Sequence, residues 1–250
     1  MDSSGKPQLN AANAKKDLSK NRFTELPEEV TEFIFLEKLH LHHNTIRVIP
    51  ETVALLQSLS YLDISHNQLT ELPREICRLP LQTLLIAYNR LVLLPEELGR
   101  MSILSELDVG CNEITSLPSR IGDLPRIRSL DLRSNFLEQI PIELTYLKLI
   151  KLDISGNRIS FLPNELRKMK TLVELKLLDN PLTSPPAAVS RLFVFIDGNI
   201  CKRYSKKMGN QIMSNVPNGR YLPAAVILNT SVKYSVPFVV RLSKTRDGSS

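Results

Sequence analysis

Apolar residues recur along this chain with one long period. In a central stretch they fall at Leu104, Leu107, Val109, Ile114, Leu117, Ile121 and Leu124, with Asn112 and Pro118 set among them. Aligning on the asparagine extends the frame through Asn21, Asn44, Asn67, Asn89, Asn112, Asn135, Asn157 and Asn180, at spacings of 23, 23, 22, 23, 23, 22 and 23 residues. Written out, the frame is L-x-x-L-x-L-x-x-N-x-L-x-x-L-P-x-x-I-x-x-L. Its L-x-L predicts a short strand with two side chains on one face, because strand period is two. The proline fixes φ where the chain turns to the convex side, and the I-x-x-L that follows points two more side chains inward. An asparagine carries both a carbonyl acceptor and an amide donor, so at a tight turn it satisfies backbone groups of its own and neighbouring coils. The two 22-residue repeats, ending at Asn89 and Asn157, are expected to lose their residue on the convex side, where a loop absorbs it.

This is the leucine-rich repeat frame. It predicts an α/β solenoid, a horseshoe with a parallel concave β-sheet and an irregular, 3-10 or helical convex side. The eight asparagines and the periodic apolar residues are read as structure, core and turn, rather than as functional sites. Residues 1–14 are expected to form a polar N-terminal cap or stay disordered, residues 15–199 the repeat domain, and residues 200–250 a basic, weakly ordered tail. At the N-terminal edge the frame asks for apolar residues at 13, 16 and 18 and finds Asn13, Lys16 and Leu18, half a repeat. At the other end the closing coil shortens to 19 residues before Asn199, with a last strand expected near Phe193–Ile196.

Composition narrows the setting. Hydrophobic residues make up 42% of 250, enough for a real core. No run approaches the roughly 18 apolar residues of a membrane-spanning helix, and the first residues hold no apolar segment of a secretory signal. Three cysteines, Cys77, Cys111 and Cys201, show no pairing pattern. A reducing, cytoplasmic location is therefore expected. The formal charge of +6 is unevenly placed: residues 198–250 hold nine Lys/Arg against one acid, leaving residues 1–197 at −2.

Solenoids bind partners on the outward residues of the concave sheet. Eight strands spaced ~4.8 Å apart span roughly 35–40 Å, room for the ~800 Å² per partner of a standard interface. The position between the two inward strand residues reads Asp17, His40, Asp63, Leu85, Asp108, Asp131, Asp153 and Lys176. Two residues on, His42 and Arg133 join them. An acidic stripe thus runs through Asp108, Asp131 and Asp153, while Tyr61, Tyr88, His40, His42, His66 and Leu85 gather toward the N-terminal half. Aromatic residues and Arg are common hot-spot types, and a stripe of one sign steers an oppositely charged partner. The plainer reading of the same aspartates is a solvated face.

Catalytic chemistry is not expected. No Gly-rich phosphate loop or nucleophile elbow occurs, and the aspartates are too evenly spread for a desolvated carboxylate pair. His40 and His42 with Asp63 could outline a zinc site, but an i, i+2 pair without cysteine is a weak signal. The histidines are read as interface residues, and no metal or cofactor is expected.

The L-P after each asparagine marks the class of cytoplasmic repeats found in Ras- and Rho-pathway scaffolds. "DLSKNRFTELP" (Asp17 to Pro27), "LPLQTLLIAYNRLVLLPEELGRM" (Leu79 to Met101), "ELDVGCNEITSLP" (Glu106 to Pro118) and "LLDNPLTSPPAAV" (Leu177 to Val189) closely resemble the repeat domain of the leucine-rich repeat and calponin homology domain-containing family. The resemblance covers about residues 15–197; the calponin homology domain and the tail after Asn199 lie outside it. It implies a scaffold at the cell cortex or cytoskeleton, tied to Rho-type GTPase and actin signalling, with a DOCK-type exchange factor or a cortical cytoskeletal protein as partner.

A second reading places function in the tail. Lys202, Arg203, Lys206 and Lys207 form a basic patch, followed by Arg220, Lys233, Arg241, Lys244 and Arg246. Near an anionic membrane each basic residue contributes ~1 kcal/mol, and phosphate binding weakens steeply with salt. No RNA or DNA motif accompanies the patch, so nucleic acid is the weaker option and membrane contact is at most peripheral.

Overall fold

A computed structural model describes residues 14–183, together with the backbones of 193–197 and 226–229. Each repeat opens on a strand: β1 (Ala14–Asp17), β2 (Leu36–His40), β3 (Tyr61–Asp63), β4 (Thr83–Leu85), β5 (Glu106–Asp108), β6 (Ser129–Asp131), β7 (Lys151–Asp153) and β8 (Glu174–Lys176). The backbones of β9 (Phe193–Asp197) and β10 (Val226–Asn229) continue the row, and all ten strands lie in sequence order in one parallel, open sheet. β9 falls where the closing coil was expected; β10 lies in the stretch the repeat frame does not reach. The basic residues Lys202, Arg203, Lys206 and Lys207, and the cap before residue 14, are outside the described residues.

On the convex side each coil makes a five-residue 3-10 helix directly after its proline: η1 (Glu28–Glu32), η2 (Glu51–Leu55), η3 (Arg74–Arg78), η4 (Glu96–Arg100), η5 (Ser119–Asp123), η6 (Ile142–Tyr146) and η7 (Asn164–Lys168). The proline carbonyl accepts the first i+3 bond, as from Ile121 N–H to Pro118 O at 3.0 Å. A proline suits this place because its ring presets φ and its missing N–H is not called on. The shortened repeats differ where expected. After η3 and η6 the chain leaves straight into extended backbone, with ψ of 145° at Leu79 and 151° at Leu147. The longer repeats at Phe33, Leu56, Met101 and Met169 turn once more, closing bonds such as Leu59 N–H to Leu56 O at 2.9 Å. In these four the convex turn takes up the extra residue, whereas the equally long repeat after η5 leaves extended, with ψ of 104° at Leu124.

The core is a single column of leucine and isoleucine. Leu104, Leu107, Val109, Ile114, Ile121 and their counterparts are buried in each coil. Burying one such side chain contributes about 2 kcal/mol. Beside them run the asparagines. Asn112 Oδ1 accepts the Leu91 N–H of the preceding coil at 3.0 Å, and its Nδ2 donates to Ile86 O, Val109 O and Gly110 O at 3.1, 3.0 and 3.2 Å. The pattern repeats at Asn67, Asn89, Asn135, Asn157 and Asn180. Asn21 alone of the eight is exposed, and it bonds only Leu18 O and Ser19 O of its own turn. The residue before each asparagine is left-handed: Lys20, His43, His66, Tyr88, Cys111, Ser134, Gly156 and Asp179. Only one of these is glycine. The strain at the others is offset by bonds to the next coil, such as Cys111 N–H to Arg133 O at 2.7 Å.

The N-terminal edge is the polar half-repeat. β1 carries exposed lysines, Lys16 sits over the Phe33 ring at 5.4 Å, and Leu18 packs against the core. Cys77 and Cys111 are free thiols. No helix among the described residues is long and apolar enough to cross a membrane.

Candidate functional site

Strand register brings the predicted row together. Asp17, His40, Asp63, Leu85, Asp108, Asp131, Asp153 and Lys176 are direct partners across adjacent strands. His42 and Arg133 extend the face where the chain leaves the strands. Tyr61 lies one pleat earlier, in line with Lys38 and Thr83. Tyr88 is displaced from this sheet: it follows β4 at the left-handed turn position and lies exposed on the loop edge of the array.

The aspartates have a task the sequence reading did not assign them. The Oδ1 of Asp63 accepts the Ser65 N–H at 3.0 Å and the Ser65 hydroxyl at 2.7 Å. Asp108 accepts Gly110 N–H, Asp131 accepts Arg133 N–H, and Asp153 accepts Ser155 N–H, all at 2.9–3.0 Å. Each carboxylate ties down the backbone two residues on, an Asx turn that aims the chain toward the asparagine. The other oxygen is left for the surface. Asp153 Oδ2 meets Lys176 Nζ at 3.2 Å, and Lys176 also reaches Glu174 at 3.5 Å. Asp131 Oδ2 pairs with the Arg133 guanidinium. The acidic stripe is therefore partly compensated by its own cations. Between β6 and β8, Asp131, Asp153, Glu174 and Lys176 line a hollow of about 120 Å³ together with Lys151.

Burial pushes the Asp131 carboxyl up to about 6, and Asp108 and Asp153 on either side push the same way, against the Arg133 N–H and guanidinium. At the exposed edge Asp17 goes the other way, to about 2, because the Ser19 hydroxyl and N–H both donate to it. The raised value makes a sign prediction. The native chain holds a proton at Asp131 that the unfolded chain releases between about pH 4 and 6. Its contribution is thus present below pH 4 and lost as pH rises through 6. Asp131→Asn keeps the Oδ1 acceptor and removes the charge. Its unfolding free energy from urea titration is expected to exceed the parent's at pH 7 by on the order of 1 kcal/mol and to equal it near pH 4. Parallel curves for the two chains across that window would contradict this.

The aromatic end is more ordered than expected. His40 lies 4.9 Å from the Tyr61 ring, and His66 stacks on Tyr88 at 4.1 Å. His43, read with the other histidines as an interface residue, adds to the second pair at 4.2 Å from His66. His43, His66 and Tyr88 all precede an asparagine, so the shared repeat position was the signal that could have found the ladder. Burial first, then Lys15, holds the His40 imidazole below its usual range; burial first, then His43, does the same for His66. His40, His42 and Asp63 also bring one donor atom each within 4.8 Å of one another.

Comparison with known proteins agrees with this architecture. Leucine-rich repeat family models match residues 17–69, 34–91 and 79–137, and a further one matches 148–169. Mouse "DISP complex protein LRCH3" is 46% identical over 191 residues, covering 74% of this chain and 25% of that protein. The Drosophila melanogaster "Leucine-rich repeat and calponin homology domain-containing protein" is 61% identical over 135 residues, covering 54% of this chain and 17% of that one. The chain thus spans a quarter or less of the length of these relatives. Among solved structures, a Leptospira interrogans leucine-rich repeat protein superposes with a TM-score of 0.52 at 28% identity, covering 72% of this chain and 58% of that one.

Proposed function

Since the chain belongs to the leucine-rich repeat family, with an array related to those of the leucine-rich repeat and calponin homology domain-containing proteins, we propose that it is a non-enzymatic scaffold holding a protein partner on its concave face. The observation that carries this is the single row from His40 to Lys176, aligned by register across adjacent strands. It joins an aromatic and imidazole end to a charged end, the mix of anchor and steering groups that interfaces use. The partner is a DOCK-type exchange factor or a cortical cytoskeletal protein, and the setting is Rho-type GTPase and actin signalling at the cell cortex. Support for this finer reading comes from the family resemblance and from a relative named for membership of the DISP complex.

The test is titration of a purified DOCK-type exchange factor onto the full chain. Asp108→Asn/Asp131→Asn/Asp153→Asn removes the negative stripe while keeping the acceptors that the turns require, so folding is preserved. Binding is expected to weaken at least tenfold, about 1.4 kcal/mol, and to be unchanged in a chain ending at Ile200. Binding that ignores the stripe, follows the tail and collapses with salt would instead make Lys202, Arg203, Lys206 and Lys207 the functional element.

A further inference from the structure

Three donors converge at the N-terminal end of the sheet. His40 ends β2, His42 follows it on the same face by the strand period, and Asp63 ends β3 directly opposite His40. One ring nitrogen from each histidine and one carboxylate oxygen of Asp63 lie within 4.8 Å of one another. Donors around a tetrahedral Zn²⁺ at bond lengths of about 2.0–2.2 Å are roughly 3.4 Å apart. The widest donor pair therefore has to close by about 1.4 Å, a movement within the rotamer freedom of two half-buried imidazoles.

The surroundings favour that closure. Asp63 is fixed and nearly buried, its Oδ1 held by the Ser65 N–H and hydroxyl, which orients the other oxygen. Tyr61 packs on the His40 ring at 4.9 Å, and His43 Nδ1 lies 3.3 Å from His42 Nδ1. Outer contacts of this kind set the tautomer and angle of ligating imidazoles. Asp17 faces His40 from the other side, across β1, and adds negative potential, although Ser19 and Lys15 already engage it.

We propose that His40, His42 and Asp63 bind a divalent transition-metal ion, with Zn²⁺ the best match. The two imidazoles are borderline donors that suit Zn²⁺ over Mg²⁺ or Ca²⁺, which take all-oxygen shells, and the one carboxylate is a common third ligand of Zn²⁺. Three protein ligands leave at least one position for water or for a donor from another molecule. The site stands on its own geometry, whether or not the concave face binds a protein.

Calorimetric titration of the full chain with Zn²⁺ alone tests it. Saturable binding is expected, with affinity falling at least tenfold in His40→Ala, in His42→Ala and in Asp63→Asn, which keeps the acceptor for Ser65. His66→Ala, outside the donor set, should bind as the parent does. Every chain keeps Cys77, Cys111 and Cys201, so the differences belong to this site. Co²⁺ in place of Zn²⁺ should give the intense visible bands of low-coordinate cobalt, and these should vanish in the same three variants. Circular dichroism confirms folding, with His40→Gln and His42→Gln as substitutes if the alanine forms fail. The proposal is overturned by absence of saturable binding to the parent, by unchanged affinity in the three variants, or by an equal loss in His66→Ala.

Discussion

Asn112→Ala should cost about 4 kcal/mol, while Asn21→Ala should cost less than about 1 kcal/mol. The two residues occupy the same position in the repeat, so the difference isolates what stacking adds. Asn112 is buried between coils and makes four bonds, three of them to carbonyls in two coils and one from the Leu91 N–H. Alanine leaves that N–H orphaned in the core, at roughly 1–3 kcal/mol, and strips one partner from each carbonyl. The carbonyls of Ile86 and Val109 retain a second asparagine each, Asn89 and Asn135, so the loss stops short of the full sum. Asn21 is exposed, and its two bonds stay within its own turn, where water replaces them. Because a solenoid's stability is a sum of nearest-neighbour terms, the Asn112 variant should also unfold over a broader urea range, its two halves partly uncoupled. Equal losses at the two positions would mean that the ladder between coils contributes nothing beyond each local turn.

The same asparagines show how much was legible beforehand. Leucine, asparagine and proline positions each have one physical task repeated in every coil, so eight registers of the frame determine sheet, core and convex turn together. Even the missing residue of the short repeats was placed correctly, because only the convex turn before Leu81 or Leu149 has slack. Other features left no mark on residue type. The left-handed turn falls on lysine, histidine, tyrosine, cysteine, serine and aspartate alike, since it is imposed by the bonds around it rather than by the side chain. The Asx role of Asp63, Asp108, Asp131 and Asp153 was hidden for a related reason. A polar residue on the outer face of a strand looks solvated whether or not one of its oxygens turns back to the chain. The row from Asp17 to Lys176 was read onto neighbouring strand positions, where register places it, with its charges more internally paired than a list of residues suggests.

Glycine on the convex side gives the second large effect, and its sign opposes ordinary expectation. Replacing glycine by alanine in a helical turn with negative φ usually stabilises by about 0.4–1 kcal/mol, through the unfolded chain. At Gly99 a Cβ would lie 2.4 Å from Arg120 O and 3.0 Å from Arg120 Cβ of the next coil, and at Gly122 it would lie 2.7 Å from Glu143 O. Both obstacles are backbone. They cannot swing aside, because the same coils are held together by the sheet on one side and by Asn112 and Asn135 within. The equivalent positions in η1, η2, η3 and η6 hold Thr31, Ala54, Cys77 and Thr145, all small, and only η7 departs, with an exposed Arg167, so within the array this column marks where successive 3-10 helices come nearest. Gly99→Ala should therefore destabilise by about 2 kcal/mol and Gly99→Val by about 3 kcal/mol, as overpacking against a rigid neighbour does. Gly110→Ala is the control. Its new methyl would meet side chains rather than backbone, Arg133 Cγ at 3.0 Å and the Oδ1 atoms of Asp108 and Asp131 at 3.2 Å, so a smaller loss of about 1 kcal/mol is expected. Urea unfolding of the three variants beside the parent decides the matter. A Gly99→Val chain with the parent's midpoint would mean that coils four and five slide apart at little cost, and that the convex side, unlike the concave sheet, is not held in register.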